Sequence, residues 1–347
     1  MATRGNGRPR RPSITDVARR AGVSVGTVSN VLNRPEQVTP ATRERVQAAI
    51  EELNFVRNAS ARQLRAGTIR TVGAIVLDIA NPFFTEVARG IEDRLAPDEY
   101  TLMLSSSDED PEREARYLRL YEEHGVQGVL VTPSQGSLEA ILALRERGIG
   151  VVLLDATSDV EDVSSVGVDD VRGAALAVEH LLELGHERIA FINGPDSIRQ
   201  CVDRRAGVVS ALLAAGRDPA DVLTEVTVGS LNADAGEKAM NELLGVDAAR
   251  RPTATFCVND FTALGALRAL RWADVRVPDE MALVGYDDVV IAPMLTVPLT
   301  SVHQPTHTLG WTAADLLLRE ASAEGAVEHQ RVLFQPELVV RTSTAGG

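Results

Sequence analysis

The stretch GVSVG, Gly22 to Gly26, has the Gly-x-Ser-x-Gly spacing that presents a nucleophilic serine in many hydrolases. That chemistry needs a strand ahead of the serine, so that a strained turn lifts the hydroxyl above a sheet. The residues ahead of Ser24, TDVARRA, read as helical instead. In a helix–turn setting the Ser24 hydroxyl accepts a hydrogen bond from the backbone of Gly26 or Thr27 and caps the next helix. A hydroxyl so engaged has no base placed to activate it, so a cap is favoured over a hydrolase. Other reactive patterns are equally thin. His303 and His307 stand four apart, but Pro305 between them argues against one helical face for a metal ligand pair. Neither Gly-x-Gly-x-x-Gly after the first strand nor a Gly-x4-Gly-Lys-Ser/Thr loop occurs. The acidic run SDEDPERE (107–114) reads as a helix start, with Asp110 as cap and Pro111 at the first position, rather than a cation site. No catalytic residue, metal or cofactor is expected, and the chain is not read as an enzyme.

Two kinds of segment position these residues. From Ile14 to Phe55 the apolar spacing is helical and each run is short. Thr15 is the expected cap of a first helix ended by Gly22. Ser24 caps a second carrying Val25, Val28, Val31 and Leu32, and Thr39-Pro40 opens a third. Three short helices with a tight glycine turn make a helix-turn-helix domain. From Thr71 onward, nine β-rich runs alternate with amphipathic helices: 71–79, 101–107, 128–133, 150–156, 164–170, 188–195, 225–229, 254–260 and 281–288. Alternation of this kind predicts parallel, doubly wound sheets, and so many strands predict two lobes rather than one sheet. Ligand is then expected at the strand C-terminal ends.

Length and charge agree with this division. At 347 residues and 44% hydrophobic, the chain is sized for two or three domains. Its net charge of −14 is uneven: residues 1–66 hold 12 arginines against 5 acidic residues, +7, leaving −21 on the remainder. A basic head on an acidic body suits a head that meets a polyanion. No secretory signal or membrane-length apolar run is seen, and Cys201 and Cys257 lie in apolar segments, so a cytoplasmic protein is expected.

The motifs ITDVARRAGVSVGTVSNVLN, VTPATRERVQAAIEELNF, NASARQLRAG, NPFF, GHERIAFINGP, VNDFTALGALRAL, VPDEMALVGYDD and LTSVHQP follow one another in order. Together they resemble the lac-repressor (LacI/GalR) family of bacterial transcription regulators. The resemblance implies a small all-α helix-turn-helix head, a hinge helix and an α/β two-lobed core related to periplasmic sugar-binding proteins, assembled as a homodimer. The implied layout is a basic disordered tail (1–12), the DNA-binding domain (13–57) and the hinge (58–69). An N-terminal lobe (70–168 and 303–329) and a C-terminal lobe (169–302 and 330–343) complete it. Double-stranded operator DNA and a small sugar-like effector are the implied partners.

By match to the family, Val25, Gly26 and Asn30 face bases in the major groove, while Ser24, Thr27, Ser29 and Asn33 mostly hold phosphates. Leu64 matches the family's minor-groove wedge, with Ala61 beside it. Effector contacts map onto Asp78, Phe83, Phe84, Arg204, Leu231, Asn259, Asp260, Asp287 and Gln304. Leu231 stands where several relatives place a stacking aromatic, which disfavours a flat purine. Ile198 and Gln200 replace polar positions that vary with ligand. The competing readings are a cytoplasmic ligand-binding protein that does not act on DNA and, remotely, a serine hydrolase.

Overall fold

The computed structural model describes residues 12–55, 70–156, 162–323, 325 and 328–345. The chain divides into two compact units, residues 1–69 and 70–347. In the first, α1 (Ile14–Ala21), α2 (Val25–Asn33) and α3 (Pro40–Glu52) enclose a small core of Val17, Ala18, Ala21, Val28, Val31, Val46 and Ala49. The first cap differs from expectation. Ser13, not Thr15, accepts from the Asp16 backbone N–H, and the Asp16 carboxylate accepts from Ser13 N–H. This capping box satisfies two otherwise orphaned donors at once. Gly22 then closes α1 at φ +65°, a left-handed conformation that glycine adopts without a Cβ penalty, and the turn into α2 follows.

The second unit is a two-lobed α/β core. Its strands are β1 (Thr71–Val76), β2 (Thr101–Ser106), β3 (Gly128–Val131), β4 (Gly150–Leu154), β5 (Ser164–Val168) and β6 (Ile189–Asn193). Then come β7 (Leu223–Thr227), β8 (Ala254–Cys257), β9 (Ala282–Asp287), β10 (Thr300–His303), β11 (Arg331–Phe334) and β12 (Glu337–Val339). Helices α4 (Pro82–Leu95), α5 (Pro111–His124), α6 (Leu138–Glu146), α7 (Asp170–Glu183), α8 (Arg199–Ala214), α9 (Pro219–Val222), α10 (Ala233–Leu244), α11 (Asp260–Trp272) and α12 (Thr306–Ser322) connect them.

One sheet has the order β11-β5-β4-β3-β1-β2 and the other β12-β10-β9-β8-β6-β7. Every pairing is parallel except β10 with β12. The central strands are buried along their length, as parallel strands covered on both faces must be. The nine expected strands correspond to β1–β9. The last three, of three or four residues, are too short to carry a readable alternation.

The lobe boundary expected at residue 330 is corrected by this topology. β11 pairs in parallel with β5, Val332 opposite Val166, and so belongs to the N-terminal lobe. The C-terminal lobe resumes only at β12, which pairs with β10. The chain therefore crosses between lobes three times, after β5, after β10 and after β11. The first two crossings carry Asp170 and Gln304, both buried.

Candidate functional site

On the head, α2 presents an exposed row made of Val25, Gly26, Asn30 and Asn33. Its opposite side is spent on the core, where Val28 and Val31 are buried. Ser24 does what the sequence suggested: its Oγ accepts from Thr27 N–H at 3.0 Å and shares a 2.8 Å hydrogen bond with the Thr27 hydroxyl. Asn33 Nδ2 donates to the Ser29 carbonyl at 2.9 Å and lies 3.2 Å from its hydroxyl, so these two side chains brace each other. The Asn30 amide makes no hydrogen bond within the protein among the described residues. A Cβ on Gly26 would meet only Ser24 Oγ, at 3.7 Å, so internal packing does not demand glycine there. Val25 keeps 38% of its surface although it is apolar. The row thus combines an unused amide, a bare backbone and an exposed methyl pair, which suits contact with base edges. Ala61 and Leu64 lie outside the described residues.

In the core, a buried polar cluster joins the lobes. Arg204, on α8 and 5% exposed, lies at its centre. Its Nε donates to Asp170 Oδ1 at 2.8 Å, Nη1 donates to the Val258 carbonyl at 2.5 Å, and Nη2 is 3.8 Å from Asp287 Oδ1. The guanidinium also lies 3.6 Å from the centroid of the Tyr286 ring. Asp287, closing β9, accepts from Gln304 Nε2 at 2.8 Å and from Asn81 Nδ2 at 3.4 Å. The Asn81 contact spans the lobes, because Asn81 caps α4 and accepts from Phe83 N–H. A second link is stronger: Gln200 Nε2 donates to the Asp155 carbonyl at 2.7 Å and to Asp155 Oδ2 at 2.9 Å.

Three carboxylates therefore crowd one guanidinium out of water. Burial pushes the Asp155 carboxyl well above its ordinary range, and the Asp170 charge adds to the rise. Burial raises Asp170 as well, although Arg204 opposes it. Asp287 is pushed up to about 6 by burial, against the pull of Arg204. Desolvation dominates because an ionised carboxylate loses its water here and only one cation offsets three.

Of the nine expected effector residues, Arg204, Asp287 and Gln304 meet in this cluster. Phe83 and Phe84 are buried at the start of α4 in an edge-to-face pair, centroids 4.9 Å apart. Asp78 is half-buried beyond β1 and accepts from Ala80 N–H. Leu231 is partly buried, and a Cβ on Gly194 would run into its side chain. Asn259 and Asp260 are used internally. Asn259 caps α11 by accepting from Thr262 N–H and donates to the Leu231 carbonyl. Asp260 is fully buried and accepts from Ser301 Oγ at 2.6 Å and Val289 N–H at 2.9 Å. Asp155, Asp170, Asn81 and Tyr286 were not singled out from the sequence. Asp155 follows an apolar strand just as Asp78 does, and the same rule would have found it.

The gap among Asp155, Asp170, Gln200 and Asp203 holds about 10 Å³, roughly the room for one water. A hollow of about 440 Å³ lies elsewhere, beside β7 and α10, and none of the nine residues lines it. His303 and His307 face different partners, Asp288 and Asp93. Among the described residues no group of three or more His, Cys, Asp or Glu side chains is placed to hold a metal, and no helix is long and apolar enough to cross a membrane.

Residues 13–58 match the model of bacterial regulatory proteins of the lacI family, and residues 178–344 match that of periplasmic binding protein-like domains. The chain is 36% identical over 337 residues to the HTH-type transcriptional repressor PurR of Aliivibrio fischeri strain MJ11, covering 95% of this chain and 98% of that one. It is 34% identical over 334 residues to PurR of Photobacterium profundum, with the same coverage of 95% and 98%. Among solved structures it resembles the transcriptional regulator CelR–cellobiose complex, at 36% identity and a TM-score of 0.68, covering 96% of this chain and 100% of that one. It also resembles the Lac repressor dimer bound to operator and the anti-inducer ONPF, at 29% identity and a TM-score of 0.80, covering 96% and 99%.

Proposed function

Because the chain belongs to the lacI family of bacterial regulatory proteins, we propose that it is a sequence-specific, DNA-binding transcriptional repressor controlled by a small effector. The observation that carries this reading is the exposed face of α2, where Val25, Gly26 and Asn30 are left unused by the head's own core. Ser24, Thr27, Ser29 and Asn33 flank that face as phosphate contacts, which fix register without reading sequence. Val25 and Gly26 bring no side-chain hydrogen bond, so direct readout rests on Asn30, and Leu64 at the hinge supplies discrimination through minor-groove deformation. A homodimer places two such heads on a two-fold operator.

The proposed effector site is the inter-lobe cluster around Arg204, Asp287 and Gln304, with Asp78, Phe83, Phe84 and Leu231 around it. Carboxylates and carboxamides accept and donate to hydroxyls, which suits a sugar or sugar derivative. An aliphatic side chain at Leu231 gives a purine no ring to stack on. Effector and operator are then linked, each changing the other's affinity by one factor.

A genome-wide map of bound DNA, followed by titration of a recovered site with and without a panel of sugars and nucleosides, tests the proposal. Discrete sites, a steep loss of affinity with salt and at least one ligand that shifts DNA binding are expected. Diffuse, sequence-independent binding that no ligand alters overturns it.

A further inference from the structure

Gln200 occupies an unusual place. It lies on the first turn of α8 in the C-terminal lobe, yet both hydrogen bonds of its amide nitrogen reach the N-terminal lobe, at the carbonyl and the carboxylate of Asp155. Both residues are more than nine-tenths buried. Asp155 is held at φ +50° immediately after β4, a conformation that costs a side-chain-bearing residue energy and persists only when its surroundings fix it. Its second carboxylate oxygen, Oδ1, is buried without a partner among the described residues. About 10 Å³ remains beside the contact, too little for any sugar ring. The lobes are thus drawn together over a space filled by the chain's own carboxamide, with Asn81–Asp287 as a second cross-lobe contact.

We propose that Gln200 is a built-in stand-in for the effector. Its carboxamide takes the Asp155 acceptors that a ligand hydroxyl would otherwise claim and holds the effector-free lobes closed. Gln200 is therefore a positioning residue that sets how readily the cleft opens and what a ligand must displace. This inference rests on the reading of the inter-lobe cluster as the effector site.

Two buried hydrogen bonds, one to a carboxylate, correspond to a shift of at least tenfold in the ratio of closed to open lobes. Distances between spin labels at Glu86→Cys on α4 and Ala214→Cys on α8 report that ratio in the full chain without DNA or ligand. Both positions are exposed, the native Cys201 and Cys257 are buried, and labelled chain is diluted tenfold into unlabelled chain to suppress distances between copies. The parent chain is expected to give one short, narrow distribution, and Gln200→Ala a longer population increased at least tenfold. Asp155→Gly, which suits the positive φ and removes the carboxylate, is expected to move the distribution the same way by less, because the carbonyl contact survives. The double variant should match Gln200→Ala alone.

Superimposable distributions for the parent and Gln200→Ala overturn the proposal, as does a double variant whose change is the sum of the two. Should Gln200→Ala not fold, an Asp155→Gly distribution identical to the parent's overturns it equally. The measurement uses neither operator nor effector, so the latch can fail while the repressor reading stands, and the reverse.

Discussion

Replacing Arg204 by Met keeps the length and apolar stem of the side chain and removes only its charge and donors. Among the described residues the guanidinium is the one cation set among Asp155, Asp170 and Asp287, all of which are buried. It donates to Asp170 and to the Val258 carbonyl and lies against the Tyr286 ring. Deleting one partner of a buried ion pair leaves the other charge dehydrated and unpaired, a loss of about 3–5 kcal/mol. For a core of this size, that corresponds to roughly 5–9 °C in Tm. The loss must also depend on pH. Without Arg204, Asp170 and Asp287 retain their protons to higher pH, and a protonated carboxyl is far cheaper to bury than a charged one. The destabilisation of Arg204→Met is therefore expected to be greatest at pH 8 and clearly smaller at pH 5. Urea unfolding of parent and variant at both pH values, followed by circular dichroism, reads it directly. A loss below about 1 kcal/mol at pH 8, or an equal loss at both pH values, would refute the account of Arg204 as the charge that holds the cluster together.

Three further outcomes are expected. Gly26→Ala makes only an ordinary contact with Ser24 Oγ and replaces a poor helix former, so the isolated head should gain up to about 1 kcal/mol of stability while operator affinity falls tenfold or more; unchanged DNA binding would remove Gly26 from the reading surface. In the parent protein, Asp287 titrates in the folded state at about 6, above the roughly 3.9 of an unfolded chain, so the folded form binds more protons between those values. Its contribution to stability therefore falls by about 2 kcal/mol as pH rises from 4 to 6, and Asp287→Asn should flatten that part of a urea stability–pH profile. Leu64→Ala should lower operator affinity by an amount on the order of 2 kcal/mol, read by fluorescence anisotropy, while effector binding by the core is unaffected.

The sequence alone determined the parts of this protein that are written locally. Periodicity separated a helical head from alternating strands and helices, and caps such as Ser24 and the Asp110-Pro111 pair located helix starts because their hydrogen bonds reach only two or three residues. Charge asymmetry and the ordered motifs pointed to the family and its fold. Tertiary structure alone decided which polar groups meet. Asn81 and Asp287 are 206 residues apart, and Gln200 and Asp155 are 45 apart. No local period encodes such pairs; they form because two sheets bring their strand ends together and exclude water. The same step turned Asn259 and Asp260 inward, since a buried carboxylate or amide must find partners wherever the packing leaves it. It also assigned β11 to the first lobe, where pairing with β5 rather than any pattern in four residues fixes its place.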